Sequence, residues 1–239
     1  MFEKFEKFQL VLLAVILALG LVVAVKVGMS GVSKDTIMVT GSAYQVVKSD
    51  SGRLEFDINA RKPDKQSAYN TVKTQLPIVM KYLNDKGIND IEVKAASGYY
   101  SYKYNPNGSM TNEIAYFNLS QIVVIKSDDV QKIKEISTDI QQLLAKGIDI
   151  DVRSPEYFYS KLGDLKITLL QDATTDAKDR ATAMLKATHN KPGKIQSVRM
   201  GVFQITPVDS TNVSDMGIND TTTIDKKVTA VANVVFRIK

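Results

Sequence analysis

The sequence predicts an α+β fold: an N-terminal transmembrane helix, then an antiparallel sheet with three helices, built as a β-α-β-β-α-β core with a further α-β-β extension. Three observations predict it. An uncharged run, Phe8 to Val25, lies between Lys7 and Lys26; two strand-strand-helix patterns follow in tandem; and the chain closes on strict apolar alternation from Val228 to Ile238.

The apolar run contains Gln9 as its sole polar side chain. As a helix it would be ~27 Å long, close to the ~30 Å hydrocarbon core of a bilayer. Its large side chains each favour insertion by ~0.3 to 0.6 kcal/mol, enough to outweigh one glutamine several-fold. A cleaved secretory signal has a shorter apolar region and a clearer small-x-small site than Val22-Val23-Ala24, so the length favours a retained signal anchor. Lys4 and Lys7 are offset by Glu3 and Glu6, which leaves orientation to the default of a cytoplasmic N-terminus over residues 1–7. Residues 26–35 carry Gly28, Ser30, Gly31 and Ser33 and read as a tether. Residues 36–239 then form one domain on the extracytoplasmic side, periplasmic or at the cell surface, of a single-pass membrane protein.

Within that domain, Thr36–Val47 and Arg53–Ala60 read as a hairpin turned at Ser51-Gly52, the second strand placing Leu54, Phe56 and Ile58 on one face. Asp64 is an N-cap candidate for a first helix, which repeats Tyr69, Val72, Leu76, Val79, Met80 and Leu83 and stops at Gly87; Pro77 inside it predicts a kink or an irregular turn. Strand Ile91–Tyr104, a turn at Asn105-Pro106-Asn107-Gly108 and strand Glu113–Ile125 come next. Ser127 or Asp128 caps a second helix with Val130, Ile133, Ile136, Ile140, Leu143 and Leu144 on its apolar face; Gly147 ends it and Ile148–Val152 opens another strand. From Arg53 to Val152 the order is that of ferredoxin-like folds. A third helix spans Leu162–Thr188 with Ala173, Ala177 and Ala181 on one stripe, small enough for tight packing on a sheet or a partner helix. Strand Lys194–Val202, a polar loop over Val208–Asp225 and the alternating strand complete the chain.

Composition narrows the function. The net charge is +5, but cations and anions are interleaved and form no basic arm, which argues against nucleic-acid binding. There is no cysteine and a single histidine, His189, so thiolate sites, cysteine nucleophiles, the usual zinc sites and histidine triads built on an elbow serine are not expected. His189 sits at the end of the third helix, where a cation gains from the helix dipole. Asp149 and Asp151 point to one face of a strand and read as a solvated face more than as a cation site. No phosphate-cradling glycine loop occurs. No catalytic residue, cofactor or metal is predicted, and the protein is not expected to be an enzyme.

Several strings in order resemble the SIMPL domain family: Ile37-Met38-Val39-Thr40-Gly41, the stretch Tyr116–Ile125 leading into Asp128-Asp129-Val130, and Asp176-Ala177-Lys178-Asp179-Arg180-Ala181 followed by Gly193-Lys194-Ile195. The chain departs from the pattern at Ser51-Gly52, Pro77 and Pro192. The resemblance implies an exported bacterial protein of the periplasm or surface, linked to oxidative-stress defence, and a homo-oligomer. It brings no catalytic residues.

Tyrosines cluster around the second hairpin: Tyr99, Tyr100, Tyr102 and Tyr104 before the turn, Tyr116 after it. Ordinary sheet packing accounts for such residues, and so does a contact surface, since tyrosine offers rigid area with a polar tip. Tyr100, Tyr102, Tyr104 and Tyr116 are therefore the candidate interaction surface. The expected function is that of a membrane-anchored, extracytoplasmic, non-enzymatic and self-associating protein. The alternative is a binding module for envelope glycans or envelope proteins that uses the tyrosine-rich hairpin.

Overall fold

Leu54, Phe56, Ile58 and Ala60 alternate with Arg53, Glu55, Asp57 and Asn59, and this period of two gives strand β2 one apolar and one charged face. The computed structural model of the protein describes residues 13, 15–26 and 35–239. In chain order its elements are β1 (Thr36–Lys48), β2 (Ser51–Lys62), α1 (Lys65–Asp85), β3 (Asp90–Val93), β4 (Ser97–Tyr104), β5 (Met110–Ser127) and α2 (Val130–Asp139). A 3-10 stretch (Ile140–Lys146) follows, then β6 (Asp149–Val152), β7 (Glu156–Phe158), α3 (Leu162–Lys186), β8 (Pro192–Met200), β9 (Gln204–Pro207), β10 (Ile218–Asn219) and β11 (Asp225–Ile238).

Two sheets form. One is antiparallel with the order β3-β5-β2-β6; β4 also pairs with β5 and β7 with β2. In it β2 and β3 flank β5, while β5 and β6 flank β2, so α1 and α2 each make a β-α-β crossover around an intervening strand, the split arrangement. The other sheet has the order β1-β11-β9-β10 with β8 beside β11. It is mixed, because β9 and β10 run parallel. The contacts cluster into two compact units, one containing residues 35–43 with Leu170–Gly201 and Ala230–Lys239, the other Tyr44–Leu169 with Val202–Thr229.

The core of the second unit joins Leu54, Phe56 and Ile58 of β2 with Val123 and Ile125 of β5, Val79 and Leu83 of α1, and Ile133 and Ile136 of α2. Fully burying each such side chain stabilises by ~1.5 to 3 kcal/mol. A satellite cluster of Ala60, Ala68, Val72, Phe117 and Leu119 continues toward the β4–β5 hairpin. In the first unit α3 buries its alanine stripe, and the stripe explains a glycine. A Cβ at Gly41 of β1 would lie 2.1 Å from the Ala173 carbonyl and 2.4 Å from the Ala177 nitrogen, so strand and helix backbones meet directly.

Several expectations are corrected. A single sheet becomes two, and β1 and β2 do not pair as a hairpin but enter different sheets. Their junction is Ser49-Asp50, held by Ser49 N–H on the Ile224 carbonyl and Asp50 N–H on that of Phe158, so polar partners outside a two-strand turn satisfy it. Ser51-Gly52 lies inside β2, where a Cβ at Gly52 would come within 3.1 Å of Ile133; this glycine serves helix packing, not a turn.

The strand expected over Ile91–Tyr104 is broken between β3 and β4. Gln121 opposes Ile58 on the apolar face of the sheet, and its buried amide donates to the Lys94 carbonyl exposed by that break. The second helix is capped by Asp129, which accepts from the N–H groups of Gln131 and Lys132 at 3.1 Å, while Ser127 Oγ accepts from Asp129 itself. Helix α1 runs unbroken through Pro77, which faces solvent together with Lys73, so water can serve the freed carbonyl. The polar loop contains β10.

Among the described residues no helix is long and apolar enough to cross a membrane. The segment 8–25 begins outside the described residues, as do residues 1–7 and residues 27–34 of the tether.

Candidate functional site

The helix-free face of the β3-β5-β2-β6 sheet carries an extended array of charged and polar side chains. Residues directly opposite in antiparallel strands share a face, so the register lays out rows across the sheet. Tyr99, Asn118 and Arg61 make one row, and Ser97, Ser120, Asn59 and Asp149 the next. Below them Asp57 opposes both Ile122 and Asp151, and Glu55 opposes Val124.

Glu55 is the centre of an ion-pair network. Arg53 Nη2 reaches it at 2.6 Å and Lys94 Nζ at 2.9 Å, and Arg153 Nη1 pairs with its other oxygen. Arg53 Nη1 also binds Glu156 at 2.6 Å, and Arg153 Nη2 binds Asp57 at 3.3 Å. Ser120 Oγ donates to the second Asp57 oxygen at 2.7 Å. The hydrogen bond from Lys94 holds the Glu55 carboxyl below the usual carboxylate range, with Arg153 and Arg53 acting in the same direction against the cost of burial. The hydrogen bond that Arg53 donates to Glu156, aided by the charges of both carboxylates, raises the Arg53 guanidinium. Three cations and three carboxylates thus balance, and the network pins β2, β7 and the β3–β4 break together.

Above it lies a hollow of about 270 Å³ lined by the upper rows. Its groups are fixed by one another: Arg61 Nε donates to Asn118 Oδ1 at 3.3 Å, Asn118 Nδ2 to Ser101 Oγ at 2.9 Å, and Asn59 Nδ2 to Asp151 Oδ2 at 2.8 Å. The Arg61 guanidinium stacks over the Tyr116 ring, 4.5 Å from its centroid. Beside Tyr99, a Cβ at Gly98 would lie 2.7 Å from the Phe117 ring, so β4 is drawn tightly onto β5 at this row.

The predicted tyrosines divide between the two faces. Tyr100 opposes Phe117 on the helix side, its ring centroid 4.7 Å away edge-on, while Tyr116 opposes Ser101 on the helix-free side. Tyr102 opposes Ile114 and Tyr104 opposes Met110, with register shifts between them; all three of Tyr100, Tyr102 and Tyr104 remain exposed. Asp149 and Asp151 are exposed, and among the described residues no group of three or more acidic or histidine side chains could hold a metal ion. His189 takes a left-handed backbone, φ 59°, where the chain leaves α3, a place more often filled by glycine or asparagine.

Sequence reasoning missed the Glu55 network. The pattern Arg53-x-Glu55-x-Asp57 was a signal that one face of β2 is charged. That Lys94 and Arg153 converge on Glu55 depends on a strand break and a strand end that no local pattern marks.

These features define a two-sheet α+β domain whose antiparallel sheet turns a polar, ion-paired face away from its helices. The chain belongs to the SIMPL family: the model of that family, described as a protein of unknown function (DUF541), matches residues 37–236. No curated protein matches the chain.

Proposed function

We propose that this SIMPL-family protein is a non-enzymatic, membrane-anchored, extracytoplasmic protein that self-associates through the β8 edge of its mixed sheet. The observation that carries the self-association is the state of β8. It pairs only with β11 among the described residues, and Lys194–Met200 are all exposed. Ile195, Val198 and Met200 oppose Phe236, Val234 and Ala232, so they extend the buried face of β11 yet stay about half exposed, at 49%, 51% and 54%. A long edge with unpaired backbone groups and an apolar stripe is a template for another strand. Two register shifts, one around Gln196 and one between Ile195 and Pro192, and the charges of Lys194 and Arg199 interrupt it.

The anchor rests on the apolar run itself. In its described helical part Leu17, Leu19, Leu21 and Val23 are all at least 58% exposed among the described residues, as a lipid-facing helix would be. The setting in envelope or oxidative-stress defence is adopted from the family resemblance.

Sedimentation velocity of residues 36–239 tests the association. The proposal expects oligomers at tens of micromolar, and monomers of unchanged circular dichroism after Ile195→Lys with Val198→Lys. A wild-type domain that stays monomeric at that concentration would sink it.

A further inference from the structure

We propose that the hollow on the helix-free face binds a neutral saccharide, one sugar ring hydrogen-bonded by Arg61, Asp149 and Asp151 and the next unit stacked on Tyr99 across the hollow. This is independent of the self-association through β8, which concerns a different sheet. The hollow, at about 270 Å³, lies just below the ~300 Å³ at which sites for drug-sized ligands begin, so it suits a single ring with neighbouring units running out along the sheet.

The polar groups are arranged as a sugar requires. Vicinal hydroxyls each donate one hydrogen bond and accept others, so they call for acceptors and donors a few ångströms apart with orientations already set. Asn59 occupies one oxygen of Asp151 and leaves the other; the Asp149 carboxylate has no hydrogen-bond or ion-pair partner among the described residues. Arg61 spends Nε on Asn118 and is clamped over Tyr116, which directs its remaining N–H groups without using them in those contacts. Tyr99, 67% exposed, offers an aromatic face at the β4 side of the hollow, three strands across the sheet from Asp149, and the C–H face of a pyranose stacks on such a ring.

The same residues exclude other ligands. One guanidinium against two carboxylates leaves a negative site, which disfavours phosphates, nucleic acid and acidic sugars. Two carboxylates without a third ligand do not make a cation cage. Walls of aspartate, asparagine and serine do not suit a lipid chain.

Saturation-transfer NMR on the full-length chain in lipid nanodiscs tests this, with chitotriose and maltotriose as probes at up to about 10 mM, the weak-binding range. Transfer to ring protons of at least one probe is expected. Tyr99→Ala and Asp149→Asn should each reduce it at least about tenfold, the loss of one good contact, with unchanged thermal unfolding. Tyr104→Ala, at the hairpin tip, should leave it intact. No transfer from either trisaccharide overturns the proposal, as does transfer that survives both Tyr99→Ala and Asp149→Asn, or an equal loss in Tyr104→Ala.

Discussion

Replacing Gly41 by alanine adds one methyl group where β1 crosses α3, and the structure makes the consequence calculable. The new carbon would sit 2.1 Å from the Ala173 carbonyl oxygen, 2.4 Å from the Ala177 nitrogen and 2.8 Å from its Cα. All three are backbone atoms, so no side chain can rotate away, and strand and helix must separate by about 1 Å to restore van der Waals contact. That separation also strains the hydrogen bond from Ser42 N–H to Asp176 Oδ2, 2.8 Å long, and loosens the packing of Ala173, Ala177 and Ala181. Overpacking costs ~1 to 3 kcal/mol, and rigid neighbours place this site at the upper end. At 2 to 4 °C per kcal/mol for a chain of this size, Tm should fall by roughly 6 to 12 °C. Differential scanning calorimetry reads it directly. Gly163→Ala is the control: nothing lies within 4 Å of a Cβ there and the site is helical, so it should gain ~0.5 to 1 kcal/mol. A Gly41→Ala variant melting within about 2 °C of wild type, less than 1 kcal/mol, would refute the direct backbone contact.

Two further perturbations test the second unit. Glu55→Gln leaves Arg53 and Arg153 with Glu156 and Asp57 but strands Lys94; a loss of ~1 to 3 kcal/mol is expected in urea unfolding at neutral pH, and a loss under ~0.5 kcal/mol would mean that the network does not bind the strands together. Burial alone would raise the Asp220 carboxyl, but the Thr223 and Thr222 hydroxyls, the Thr222 N–H and the charge of Lys226 outweigh it and hold the pKa at about 2. Because the folded value is depressed, Asp220 stabilises above the unfolded carboxylate range and loses that contribution as pH falls from about 4 to about 2. At ~1.4 kcal/mol per unit this is about 2 kcal/mol. The stability gap between wild type and Asp220→Asn should shrink by that amount between about pH 5 and about pH 2; a constant gap refutes the assignment.

The local chemistry was legible before the fold. Asp64 and Gly87 bound α1, the alternation of Leu54, Phe56 and Ile58 marks the buried face of β2, and Asn105–Gly108 is a turn, because caps, period and turn residues act over a few positions. The candidate surface was less legible. Tyrosine spacing counted along one strand cannot register a partner strand, and it is the register that places Tyr116 opposite Ser101 and so across the sheet from Tyr100.

Read from residues alone, the chain already yields the domain's three helices and most of its long strands, which follow from interactions between near neighbours, and strings such as Ile37–Gly41 already point to the family. Tertiary structure alone decided that β1 leaves β2 for β11, that β3 and β4 part to give Gln121 a carbonyl, and that Arg53, Lys94 and Arg153 meet on Glu55. Those choices turn on which distant backbone or charge satisfies a buried polar group, and such partners are set by the packing of the whole unit, not by any local pattern.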